Sequence, residues 1–319
     1  MARNRLLGAL IAAAVGALGS ACSLTIPLKA PTPSALACAG APHAGVALEL
    51  SDQRSPSDRG SVASSPAPVS FTFAGGSFDP MPYFSDAIAK ELAARGFATE
   101  GADRAPVKLV MRSFHFENHR VSGFSPWVTL TLASADLDSP SGPLRIVSFL
   151  KRGKVPVWSM DEINDPCFND SLSIVTKEIT AKLISALWGK RLNDADVEAI
   201  VARIAQKGEA DSTWLDVYEL GFSNNPRAIP ELAKLTAHSN EYIRMAAISG
   251  LGTLRAVEQF EQLKSIASGG QLWQDRAIAL KAIGDLGTPE AKAFLEAESK
   301  RLGNDLEGRW SRMVIALFQ

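Results

Sequence analysis

Cysteine is scarce in this chain, with three in 319 residues. That is too few for a disulfide-stapled scaffold or a multi-cysteine zinc site. Histidine is rarer than expected for a metal enzyme, at four. Excess charge of either sign is missing: 33 Lys and Arg face 34 Asp and Glu, for a net charge of −1. Such a balance exerts no bulk pull on nucleic acid, so none is expected as a partner. No apolar run is long enough to cross a bilayer comfortably, since the longest runs from Leu6 to Leu18. Gly75-Gly76 and Gly269-Gly270 are isolated pairs without phosphate-loop spacing, and no Gly-x-Ser-x-Gly elbow places a serine on a strained turn. What remains is an ordinary globular composition, 46% hydrophobic and 21% charged, with length enough for two domains.

The first 22 residues have a composition of their own. Arg3 and Arg5 precede the uncharged run from Leu6 to Leu18, and Gly19-Ser20-Ala21 leads into Cys22. A positive start, an apolar run and small residues form the tripartite pattern of a secretory signal. Small residues ending in cysteine resemble the lipobox of bacterial lipoproteins, with Gly19 at the place where that family usually has leucine. The resemblance implies a signal peptide over 1–21, lipidation (palmitate included) at Cys22 and attachment to a membrane through that lipid. Ser23, in place of Asp, is similar to lipoproteins sorted to the outer membrane, facing the periplasm. Pro27, Pro31, Pro33 and Pro42 then predict an extended, flexible tether over 22–43.

From 44 to 189 the patterning is mixed. Short strands are expected at Val46–Leu50 and Val69–Phe73, separated by a polar loop. Phe84, Ile88 and Leu92 share a face of a helix over Met81–Arg95 that Gly96 stops. Strands are expected over Val107–Glu117 and Val121–Asp136, joined by a tight turn near His119, where Val128, Leu130 and Leu132 alternate with threonines. Further strands follow at Leu144–Leu150 and Lys154–Met160, then an amphipathic helix over Leu172–Trp188. This order predicts a two-layer α+β domain, an antiparallel sheet with helices on one face. The Asp52-Gln53-Arg54 loop and Ala89-Lys90-Glu91-Leu92-Ala93-Ala94-Arg95-Gly96-Phe97 resemble the YajG-like family of bacterial lipoproteins. That resemblance implies an envelope lipoprotein and supplies no catalytic residues.

From 190 to 319 strand signals vanish and self-similarity appears. Leu220-Gly221, Pro226, Ala228 and Leu232 recur sixty-three residues later as Ile283-Gly284, Pro289, Ala291 and Leu295. Arg244, Ala247, Leu251 and Gly252 recur thirty-two residues later as Arg276, Ala279, Ile283 and Gly284. Arg-x-x-Ala followed by Leu-Gly looks like the HEAT-like repeat, in which small residues let helices approach and leucine fills the seam. An all-α repeat domain is expected, with Arg309 to Gln319 as its terminal cap.

Candidate chemistry is thin. His115 and His119 have metal-like spacing, but on a strand positions four apart are separated by about 13 Å, so no metal site is expected. No cofactor and no catalytic set are expected either. Basic second helices carrying Arg244, Arg276, Lys281, Arg309 and Arg312 form a candidate surface for a protein partner in the envelope, although Arg244 and Arg276 also suit ladders between repeats. Lys281 and Arg312 are expected to be exposed. Cys38 and Cys167 are expected to pair as a disulfide, being the two cysteines left in an oxidising compartment. The function expected is a non-catalytic binding or scaffolding lipoprotein, the alternative being an envelope hydrolase with an unrecognised site.

Overall fold

The computed structural model describes residues 24–40, 47–64, 69–97, 106–122 and 124–319, so the signal, the lipidation expected at Cys22, and His43 lie outside it. In chain order the first part comprises β1 (Leu24–Pro27), β2 (Leu48–Asp52), a short α1 (Pro56–Gly60), β3 (Ala63–Ser64), β4 (Val69–Phe73), β5 (Gly76–Ser77), α2 (Pro80–Ala94), β6 (Val107–His119), β7 (Trp127–Ser139) and β8 (Gly142–Lys154). A π turn at Asn164–Asn169 leads into α3 (Asp170–Trp188). The helical part comprises α4 (Asp194–Lys207), α5 (Thr213–Gly221), α6 (Ile229–Leu235), α7 (Glu241–Thr253), α8 (Phe260–Gly269), α9 (Trp273–Leu286), α10 (Pro289–Arg301) and α11 (Leu306–Ala316). A sheet region therefore precedes a helical one. No helix among the described residues is long and apolar enough to cross a membrane.

β6, β7 and β8 are an antiparallel meander, and the Ser139–Gly142 pairing leaves Pro140-Ser141 as the hairpin tip. A bulge between Met111 and Ser113 shifts the register of β6 by one. It lets Leu109, Met111, Phe114 and Phe116 share one face, despite the odd spacing across Arg112 and Ser113. On that face Phe84 meets Phe114, and Phe116 meets Phe71 and Phe168, so α2, β4 and the start of α3 form one apolar layer.

Four expectations are corrected. The sheet is mixed rather than antiparallel, because β2 and β3 both run parallel to β6; β2 reaches β6 through a crossover containing α2, which is what parallel pairing requires. Helices do not stop at one face: Leu130, Leu132, Val147 and Phe149 point the other way, into a core shared with Val217, Leu220, Ile248 and Ile283 of the helical region. β7 begins six residues later than its hydrophobic pattern suggested, since residues after His119 form a loop held by Ser125, whose hydroxyl accepts from the amides of Val121 and Ser122. The strand expected at Lys154–Met160 is absent; the sheet ends at Lys154, two residues before Pro156, which lacks an N–H for a ladder.

The tether is corrected as well. From Leu24 to Gly40 the chain is docked: β1 pairs with β4, the Lys29 ammonium meets Asp165, Ser34 N–H donates to Glu91, and Ala39 N–H donates to the Arg191 carbonyl. Ile26 is 0% exposed, because it and Leu28 complete the apolar layer beneath β4. Ile26→Ala should therefore destabilise the protein by about 2–5 kcal/mol in urea unfolding; a change within about 0.5 kcal/mol, as for a solvated segment, would mean that this segment is not part of the core.

Candidate functional site

The helical region is positioned by side chains, beginning with two opposite-charge pairs one helical turn apart. Glu178 and Lys182 lie on α3, and Lys281 and Asp285 on α9. The side chains meet between the two helices, where β8 and α7 also close in, so all four charges are out of water, with side chains between 0 and 9% exposed. Lys182 Nζ donates to Asp285 Oδ1 at 2.7 Å and to the Val147 carbonyl at 2.5 Å. Lys281 Nζ meets Glu178 and Asp285 and donates to Ser249 Oγ at 2.9 Å. Ser148 Oγ donates to Glu178 Oε2 at 2.5 Å, and Thr253 Oγ1 donates to Glu178 Oε1 at 3.2 Å. The cluster is neutral as a whole, and it joins β8, α3, α7 and α9.

Burial by itself raises the pKa of Glu178, but the charges of Lys182 and Lys281 and the hydrogen bonds from Lys281 and Ser148 outweigh it and hold the carboxyl below its ordinary range. Burial lowers the pKa of Lys281, and Asp285 and Glu178 overcome that, so the ammonium is held more strongly than in water. Lys182 sits between the same carboxylates yet is lowered, because burial and the like charge of Lys281 prevail there.

A second set of contacts lies further along β8. Lys151 Nζ donates to both Glu241 carboxylate oxygens at 3.1 Å, and Gln274 Nε2 donates to the same carboxylate at 2.8 Å. The Arg152 guanidinium stacks between Trp214 at 4.0 Å and Tyr242 at 4.1 Å, and Arg152 Nε donates to the Pro166 carbonyl at 3.1 Å. β8 is the last strand of its sheet, and these helices cover the edge that an unpaired strand would otherwise present.

Where β8 turns back at the hairpin, the helices stop short and leave a cavity of 740 Å³. Leu144, Ile146, Leu295, Ile315 and Phe318 give it apolar walls, with Lys182 and Asp285 reaching it from the buried cluster. Arg145, Arg255 and Lys292 line it as well, the last two on exposed positions. Arg255 holds a φ of 51°, the left-handed region that non-glycine residues seldom adopt. Its lining sets Arg145, Lys182, Arg255 and Lys292 against Asp285 and Glu296, so the site combines apolar surface with a net positive charge, and includes no histidine or cysteine.

The residues singled out from sequence have varied places. Arg244 Nε donates to Asp275 at 2.8 Å while its Nη1 donates to the His238 carbonyl at 2.7 Å. Arg276 repeats this with Glu307 and the Gly270 carbonyl, each at 2.7 Å. Arg312 donates to the Leu302 and Gly303 carbonyls, and Arg309 is exposed. Lys281, expected on an open basic face, is 0% exposed, because α9 packs on α7 and β8 and the Lys281 side chain reaches Glu178 of α3 rather than solvent. Cys38 and Cys167 are free and buried, not bonded to each other. Their surroundings differ: Cys38 lies beside Arg95, Glu91 and Lys190, and Cys167 beside Thr129, Arg152 and Asp170. Along β6, His115 Nε2 is 3.7 Å from Glu117 and His119 packs on Trp310, so the two histidines do not converge. Glu178, Lys182 and Asp285 went unnoticed from sequence, as did Arg145, Arg255 and Lys292. A signal for the first three was present: an i,i+4 ion pair set inside an otherwise apolar helix.

Two expected outcomes follow from this geometry. Lys281→Met should destabilise the protein by about 3–5 kcal/mol in denaturant unfolding, because Glu178 and Asp285 lose one of their two buried countercharges. The Glu178 contribution, a depressed carboxyl, is present above its unfolded value near 4.5 and fades as pH falls below it; the Lys281 contribution is present below 10.5 and fades as pH rises through its higher folded value. In Lys281→Met the acid limb of the stability curve should shift upward in pH; an unchanged limb would contradict the assignment. For the thiols, burial pushes Cys167 up to about 12 and raises Cys38 too, so a thiol reagent should label neither in the folded protein and both after unfolding, with gel mobility independent of reductant.

No protein-family model matches this chain, and no curated protein is significantly similar to it.

Proposed function

We propose that this protein is a lipid-anchored, non-catalytic binding protein of the cell envelope whose helical region receives a protein partner at the cavity beside the β7–β8 hairpin. The anchor is Cys22, on the outer membrane and facing the periplasm. The sheet region is read as a YajG-like domain, and the helical region as a HEAT-like array capped by α11. Support for the array comes from repeated contacts: Arg244 and Arg276 bond equivalent loop carbonyls and an acid thirty-one residues onward. Small residues recur at the seams, with Gly221 against Gly250, Gly252 against Ala282 and Gly284 against Phe318, where an added Cβ would collide.

The cavity carries the binding reading. Its walls are apolar and its mouth sets Arg255 and Lys292 against Glu296 alone, an excess of positive charge that suits an acidic segment with an apolar body. The basic helix face read from sequence is largely occupied by packing, which moves the binding surface to this junction. Arg255→Glu combined with Lys292→Glu should weaken capture of a crosslinked envelope partner about tenfold or more, equivalent to roughly 1.4 kcal/mol per factor of ten. Folding should be unaffected, since exposed substitutions cost within about 0.5 kcal/mol. Arg309→Glu should leave capture unchanged. Undiminished capture by the double variant would rule out the cavity as the docking site.

A further inference from the structure

The end of the sheet opposite the hairpin exposes large apolar side chains on two neighbouring loops. Trp127 pairs with Lys154 and Val128 with His119, so the β6–β7 loop and the loop leaving β8 emerge side by side. The first carries Val121 at 79% and Phe124 at 101% exposure; the second carries Val155 at 60% and Trp158 at 84%. Four such residues converging on one tip are a patch, which scattered single exposures are not.

Leu24, the first described residue, lies at this same end. α3 starts just after β8 leaves the sheet and runs back toward the hairpin, where Ser185 and Ala186 line the cavity beside Leu144. The N-terminal segment follows α3 in the same direction: Lys29 meets Asp165 and Asn169 before the helix, and Ala39 N–H bonds Arg191 after it. Leu24 precedes Lys29, so it stands at the Phe124 and Trp158 end. Cys22 is two residues before Leu24, and two residues reach at most about 7 Å. A free tether over 22–43 would have reached roughly 70 Å; with residues 24–40 docked, that reach is gone.

We infer that this tip inserts into the bilayer interface, with Phe124 and Trp158 as its anchors, so that the lipid on Cys22 and the two loops hold the protein against the membrane with the hairpin cavity facing away from it. The orientation rests on the lipid-anchor reading; the insertion of the loops can fail separately. Tryptophan suits the headgroup boundary, where its ring is apolar and its N–H reaches water. Charges around the tip cancel, Arg120 and Lys154 against Asp161 and Glu162, and Lys154 lies 3.8 Å from Glu162. Insertion is therefore hydrophobic and insensitive to salt.

The test uses full-length protein purified from membranes and placed in vesicles of phosphatidylethanolamine and phosphatidylglycerol bearing a nitroxide on a shallow acyl carbon. Trp127, Trp214 and Trp310 are buried, and Trp188 and Trp273 are half-buried, so quenching reports Trp158. Nitroxide lipid should quench the wild type, quenching should fall to background in Trp158→Phe and severalfold in Phe124→Ser, and about 1 M salt should not reverse it. Equal quenching in wild type and Trp158→Phe would overturn the inference, as would a Trp158 that stays open to an aqueous quencher on vesicles or crosslinks a second protein instead. The intact masses of the wild type and Cys22→Ser, read in parallel, report on the anchor by itself: a wild type that carries no lipid mass would refute lipidation there, while the quenching comparison still decides the loops.

Discussion

Two carboxylates and two ammonium groups meet between α3 and α9 with almost no access to water, and the arrangement of the whole molecule depends on that meeting. Taking such groups out of water costs several kcal/mol for each ion, and their mutual attraction offsets this only when every member is in place. The consequence is positional. A shift of α9 by one helical turn would bring Lys281 beside Lys182 and leave Glu178 with Lys182 alone to balance two like charges. Hydrophobic packing between Leu, Ile and Ala side chains tolerates many registers, whereas the cluster accepts one. Ser148, Ser249 and Thr253 complete it by filling the remaining hydrogen-bonding positions on Glu178 and Lys281.

This union decides which surfaces are left. Because α7 and α9 lie against β8, the strand's outer edge is covered, and Lys182 and Tyr242 bond its carbonyls at Val147 and Gly153. Sheet and helices part at the hairpin, where the charged and apolar walls of the cavity form. At the opposite end the two loops carrying Phe124 and Trp158 pass beyond the helical cover. The fold thus has two distinct ends, and the N-terminal segment, docked along α3, sets which of them Leu24 occupies.

Much of the architecture was legible in the chain. Period-two alternation marked the long strands, although β6 kept its apolar residues on one face only by means of a bulge at Arg112–Ser113 that alternation does not reveal. Helix limits were close: Asp79 caps α2 by accepting from the Met81 amide, and Gly189 ends α3 at a φ of 58°. The division into a sheet region and a helical region was also visible, because the apolar period changes near Asn193. The N-terminal segment was misread for a physical reason. Its prolines describe an extended backbone, and an extended backbone is equally a free tether or a strand docked by Ile26 and Leu28.

By itself the sequence determined the local periods, the helix stops, the spacing of Arg244 and Arg276, and the small residues at the helix seams. Each of these follows from interactions among residues close along the chain or from their spacing in it. Tertiary structure alone decided the fate of the charges. Lys281 and Arg309 look alike as basic residues on helices, yet one is sealed between Glu178 and Asp285 and the other is in water. The pairing partner of Lys281 on α3 lies 103 residues away, and no pattern within α9 specifies it. Burial of a charge depends on what the rest of the chain brings to it, and that is settled when α9 packs on α7 and β8 and its side chains meet those of α3.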